Sequence, residues 1–229
     1  MNARLLFIML FGAAALGSPG AARAGAQDLV QSECSGCHQL EGPSGDLEER
    51  MKRTAPPLFY AGNKFREEWL VEWLQKPERI RPAGDFAVAY VVSSADGDMP
   101  DINSLVEHPV LEAEQAAEVA AYLMTLRPKD DLIGAEDYTP GRVPERIGAM
   151  DFVKFKGCGA CHKDTPKYGG LSGPELYSAW NRLQPEFIVS YIRSPVAWEE
   201  HSIMPVKHLQ TEQIHKLANY LRTIGEKGQ

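Results

Sequence analysis

Two stretches of this chain share one short pattern, and the sequence around them repeats. Residues Cys34-Ser-Gly-Cys37-His38 and Cys158-Gly-Ala-Cys161-His162 both read C-x-x-C-H. With Pro56 laid on Pro174, the residues that follow align without a gap at a constant offset of 118. Leu58 meets Leu176, Asn63 meets Asn181, Lys64 meets Arg182, Trp69 meets Phe187, Trp73 meets Tyr191 and Pro77 meets Pro195. Met99-Pro100 then corresponds to Met204-Pro205, and Leu111 to Leu126 corresponds to Leu209 to Ile224. A repeat of this length predicts two copies of one fold rather than one large core. The first copy carries extra residues between His38 and Pro56, between Pro77 and Met99, and between Met99 and Leu111. Insertions of this kind are expected on the surface.

The copies read as helical. Apolar residues recur at helical spacing in Phe65 to Leu74 and Phe187 to Arg193. In the last helix of each copy the apolar face is assigned to Ala117, Ala120, Ala121 and Leu123–Met124, and to Ile214, Leu217, Ala218 and Leu221. Thr211 is the expected N-cap of the final helix. A short helix over Gly148 to Lys156 leads into the second motif, and no run alternates as a strand. Arg127 to Arg146 is punctuated by Pro128, Pro140, Gly141 and Pro144, has no apolar period, and reads as a linker. The expected organisation is a leader over 1–24, a first domain over 25–127, a linker over 128–145 and a second domain over 146–229.

The leader assignment rests on Arg4, the apolar run Leu5 to Leu16, and small residues at Ala22-Arg23-Ala24, with Ala24-Gly25-Ala26 as a second cleavage option. The run is shorter than the roughly 20 residues of a spanning helix, and Gly17 to Gly20 break it. An exported, periplasmic chain with no membrane span after cleavage is expected, with an uncleaved anchor as the alternative. Of the 24 basic side chains, two fall in the leader; the remaining 22 face 31 acidic ones, a net charge of −9. That balance speaks against a nucleic-acid partner and suits one with a basic docking face.

All four cysteines of the chain lie in the two motifs, so none remains for a disulfide framework. Three chemistries use C-x-x-C. Zinc needs four ligands in a tetrahedron, and one motif with an adjacent histidine supplies three at most. A joint zinc site would need four cysteines brought together from both copies. A redox dithiol belongs on a βαβ framework, which this sequence lacks, and leaves the histidine unexplained. Covalent attachment of haem uses every part: two thiols add to two vinyl groups, and the next residue carries its imidazole to the iron. Two cofactors of that kind, haem c with its iron, are therefore expected.

On these residues the chain resembles the dihaem class I cytochromes c, in the manner of the cytochrome c4 family. The resemblance spans nearly the whole mature chain. It is carried by the two motifs, by Ala55-Pro56-Pro57-Leu58 and Gly173-Pro174-Glu175-Leu176, and by the two Met-Pro pairs. It implies an all-α fold of two tandem domains, each around one covalent haem. Cys34, Cys37, Cys158 and Cys161 would attach the haems, and His38 and His162 would ligate the irons. A proline carbonyl would hold each proximal histidine, from Pro174 in one turn and from Pro56, with Pro57 competing, in the other.

The sixth ligand decides between carrying electrons and binding small molecules. Met204, in a loop before the last helix, is the candidate for the second iron. Met99, within the acidic stretch Asp96 to Ile102, is its counterpart for the first, with His108 as a rival. Asn63-Lys64 and Asn181-Arg182 are candidate donors to the haem carboxylates or else solvated helix starts. Trp69, Trp73, Phe187 and Tyr191 are expected to wall the haem crevices. The function implied is single-electron transfer between redox protein partners: an oxidase, a reductase or a dehydrogenase. The alternatives are a cytochrome subunit of a dehydrogenase complex, docked through the first copy's long loops, and a haem enzyme with one open iron.

Overall fold

The computed structural model describes residues 25–42, 45–95 and 97–227. The expected leader lies outside these residues. Among them, helices dominate, and the strands form two short antiparallel hairpins, Val91–Ser94 with Gly97–Pro100 and Lys163–Thr165 with Tyr168–Gly169. The mainly helical reading therefore holds, with the correction that Met99 sits in a strand opposite Val92 rather than in a loop.

Equivalent elements recur at the offset seen in the sequence. Helix Ala61–Lys64 has its counterpart in Ala179–Arg182, and Glu67–Gln75 in Pro185–Arg193. Local chemistry explains the ends of the longer pair. Glu67 and Glu68 place negative charge at one N-terminus, Pro185 opens the other, and Arg193 lies in the last turn. Before each motif the chain passes through a π-helical turn, Val30–Cys34 and Asp151–Phe155. Such single turns concentrate at functional sites.

The two halves meet where the repeat predicts no special feature. Phe65 and Leu183, equivalent residues, form an isolated antiparallel bridge. The Arg66 N–H donates to the Arg182 carbonyl at 3.0 Å, and the Gln184 N–H donates to the Lys64 carbonyl at 2.9 Å. These two bonds exchange under the offset of 118, which defines a local two-fold axis at the bridge. Side chains of different type repeat the symmetry. Arg66 Nε donates to the Trp180 and Leu183 carbonyls at 3.1 and 3.0 Å. Gln184 Nε2 donates to the Gly62 and Phe65 carbonyls at 2.6 and 2.9 Å. One hydrophobic cluster runs across this junction, from Val30 and Tyr60 through Phe187 and Trp198 to Ile224.

Several expectations need correction. The apolar face of helix Ala113–Leu123 is Ala116, Val119, Ala120 and Leu123, while Ala117 and Ala121 are exposed. The final helix, Thr211–Gly225, buries Ile214, Leu217, Ala218 and Leu221 as expected, but its cap is Gln210, which forms a reciprocal capping box with Gln213. The Arg127 to Arg146 segment, read as a linker, is bonded to the second half. It contains helix Asp130–Gly134, and Glu136 takes a two-pronged bond from Arg193 at 2.9 and 2.8 Å. The Tyr138 hydroxyl donates to Asn219 Oδ1 on the final helix at 2.8 Å.

The insertions of the first half are also partly internal. Arg50, between His38 and Pro56, and Asp85, after Pro77, are 3% and 2% exposed and pair at 2.9 Å. Arg81 reaches the same Asp85 at 3.3 Å. From the second half, Glu199 comes within 3.6 Å of Arg50 and 3.3 Å of Arg53, and accepts a hydrogen bond from Tyr60 at 3.0 Å. The Glu175 N–H donates to the Ile80 carbonyl at 2.8 Å. Buried charge is tolerated only when paired, so these loops act as an ionic clasp between the halves.

Candidate metal centre

Each motif closes a single turn of backbone. The His38 and His162 N–H groups donate to the Cys34 and Cys158 carbonyls at 2.9 and 3.1 Å. The Cys37 and Cys161 N–H groups donate to the same two carbonyls at 3.1 and 3.2 Å. This i to i+4 closure stacks each histidine on the face of its first cysteine. Burial pushes the Cys34 thiol up, helped by Glu33, and burial likewise raises Cys158. Neither carries the depressed pKa of an activated redox thiolate. No group of three or more His, Cys, Asp or Glu side chains is gathered among the described residues. The joint four-cysteine zinc site is thus not formed there.

Both imidazoles are held in the same way. Nδ1 of His38 lies 2.7 Å from the Pro56 carbonyl, and Nδ1 of His162 lies 2.8 Å from the Pro174 carbonyl. Pro56 rather than Pro57 is therefore the partner in the first turn. Because a carbonyl only accepts, Nδ1 carries the proton, and Nε2 is left as the basic nitrogen. Burial is the largest influence on both rings and lowers both pKa values. Each is a neutral, oriented imidazole at neutral pH, the form a metal takes.

Gly173 makes room for one of these rings. A Cβ at that position would lie 2.5 Å from His162 Cε1 and 2.6 Å from Nδ1. Gly173→Ala is expected to turn the ring off Pro174 and cost about 1–3 kcal/mol by overpacking. Chemical denaturation of the purified protein checks this; an unchanged midpoint would show that the ring has slack.

One cavity of about 980 Å³ reaches both motifs. That is near the top of the roughly 300–1,000 Å³ typical of small-ligand sites. It is lined by Cys34 and His38 on one side and by Cys158, Cys161 and His162 on the other; Cys37 is exposed outside it. Trp69, Trp73, Phe187 and Tyr191 all line it. Lys64 lines it as well and has no ion-pair partner among the described residues. Burial, with the nearby Arg81 charge, pushes the Lys64 ammonium down to about 7. An apolar chamber with thiols and imidazoles at its edge and the Lys64 ammonium on its wall, over the Tyr60 and Phe65 rings, has the chemistry to take a flat, apolar group with carboxylate arms.

The distal candidates separate. Met204 lines the cavity, and its N–H donates to Ser202 Oγ at 3.3 Å. Met99 does not line it and is 51% exposed on its hairpin. His108 lines it, and its ring centre is 6.1 Å from that of His38. The asparagines have other work. Asn63 is fully buried, donates to Asp130 Oδ1 at 2.7 Å and accepts from the Lys129 N–H at 3.2 Å. Asn181 donates to the Gly225 carbonyl at 3.0 Å. Asn63 anchors the chain beyond helix Ala113–Leu123, Asn181 bonds the last residue of helix Thr211–Gly225, and neither lines the cavity. Sequence reasoning missed Arg50, Asp85 and Glu199, all of which line it; their charge gave no signal of burial.

The sequence matches no protein-family model and no curated protein.

Proposed function

We propose that this chain is a dihaem c-type cytochrome of two tandem domains that passes single electrons between redox proteins outside the cytoplasm. The observation that carries this reading is the duplicated C-x-x-C-H turn, each with its imidazole fixed by a proline carbonyl at the wall of one apolar cavity. Haem c, when bound, supplies a one-electron ferric–ferrous couple.

The residues divide the remaining work. Cys34 with Cys37, and Cys158 with Cys161, would hold the two haems, so that neither is lost in the exported protein. His38 and His162 would offer Nε2 to the metal, and Pro56 and Pro174 hold those rings through Nδ1. Met204, which lines the cavity, would supply a thioether to the second iron, and Met99 is its sequence counterpart in the first half. The aromatic walls exclude water, which favours moving an electron over activating a substrate. Lys64 and Arg182 supply positive charge for the haem carboxylates. The chain needs no membrane span for this role, and no helix among the described residues is long and apolar enough to cross a membrane. Its acidic balance suits partners with basic faces.

Thioether coordination raises the potential of a haem iron. Met204→Ala is therefore expected to lower one of the two midpoint potentials and to open that iron to carbon monoxide. A redox titration with absorption spectra under carbon monoxide tests this. If both potentials and the spectrum stay as they were, Met204 is not a ligand.

A further inference from the structure

We infer that His108, rather than Met99, is the distal ligand of the first iron. The inference rests on the dihaem reading and concerns the side of the first site opposite His38.

Position is the first ground. His38 and His108 both line the cavity, with ring centres 6.1 Å apart and planes at 65°. A metal–imidazole bond is about 2.0–2.1 Å, so two imidazoles on opposite sides of one ion have ring centres about 6 Å apart. The observed separation of the ring centres matches that spacing. The Trp73–His108 contact, at 4.5 Å, is by contrast direct packing.

Orientation is the second ground. Nδ1 of His108 lies 2.8 Å from the Pro109 carbonyl. This is the device that holds His38 on Pro56 and His162 on Pro174, at 2.7 and 2.8 Å. All three rings thus carry the Nδ1 proton toward a proline carbonyl and keep Nε2 as the free basic nitrogen. Metal-bound histidines donate their other N–H in this way. Trp73 buttresses the ring from the side and is itself fixed by its indole N–H, which donates to the Glu78 carbonyl at 2.9 Å.

The third ground is the position of Met99. Its strand pairs with Val92, and its side chain is half exposed outside the cavity. His108, by contrast, lines the cavity beside His38. Imidazole does not raise the potential of iron as a thioether does. The two sites would therefore be unequal, the first lower in potential than the second, although they arose from one repeat.

The test uses the full-length holoprotein and the absorption band specific to thioether-bound ferric haem, followed by redox titration. The unmodified protein is expected to show two midpoint potentials and a thioether band for only one of its two haems. Met204→Ala should abolish the whole band, and Met99→Ala should leave the band and both potentials unchanged. His108→Ala should open the lower-potential iron to carbon monoxide, and His108→Met should raise its potential. Should Met99→Ala remove half the band or open an iron, Met99 is the ligand and the inference is wrong, even if His108→Ala does not fold. A purified protein with two haems in which His108→Ala leaves both irons closed overturns it equally. A protein with no covalent haem at all overturns the dihaem reading and this inference together.

Discussion

Replacing Cys158 and Cys161 together by serine is expected to reduce covalently bound haem from two per chain to one and to unfold much of the second half. The thiols sit at the head of a turn whose histidine faces the cavity. Without the group they hold, Phe187, Tyr191, Leu217 and Leu221 would surround space rather than a ligand. Emptying a core in this way costs about 24 cal/mol for each Å³ of void that the surroundings fail to fill. Even partial collapse of a chamber this large leaves a penalty comparable to the whole stability of a small domain. The readouts are haem content by absorption in alkaline pyridine and helix content by circular dichroism. Two haems in the double variant would mean that this motif is not an attachment point. Serine at Cys34 and Cys37 should remove the other haem, so the two pairs of variants report on the halves separately.

The second large effect is expected at Asp85. This carboxylate is held by Arg50 at 2.9 Å and Arg81 at 3.3 Å and is 2% exposed. Asp85→Ala leaves Arg50 buried with only the more distant Glu199 as a counter-charge. Removing one member of a buried ion pair typically costs about 3–5 kcal/mol, because the remaining charge is uncompensated. A destabilised clasp should also loosen the contact between the halves, since Arg50 and Arg53 both reach Glu199 across it. Urea unfolding measures the loss. Lys52→Ala is the control, because its pair with Glu48 is exposed on both sides and such pairs contribute little. Equal effects of the two substitutions would show that the clasp is not structural.

What could be read from the sequence follows from the range of the interactions involved. The motifs, the proline turns and the offset of 118 are local patterns, and the structure repeats them as equal helices and as the bridge between Phe65 and Leu183. The final helix could be read because Ile214, Leu217 and Leu221 are bulky enough to mark one face. Helix Ala113–Leu123 was misphased because alanines lie all round it, and only Val119 and Leu123 distinguish its sides. The insertions were placed on the surface because extra residues in one copy of a repeat ordinarily form loops. Their burial depends on partners far away in sequence, Asp85 for Arg50 and Glu199 for Arg53. Asn63 and Asn181 looked alike as ligand donors, but Asn63 is consumed in holding the chain that follows helix Ala113–Leu123, and Asn181 in bonding the end of helix Thr211–Gly225. The position of His108 beside His38 had no local signature, because helices and the hairpin of Val91–Ser94 with Gly97–Pro100 lie between them in the chain, and the ring is brought there by packing on Trp73.

The central claim is that two haems are covalently bound. The most direct measurement is the intact mass of the protein, exported from a host that attaches c-type haem and analysed under denaturing conditions. The account predicts a mature chain heavier by two haem groups, with no free thiol to alkylate. A chain at the mass of the polypeptide alone, with four thiols that react, would contradict it.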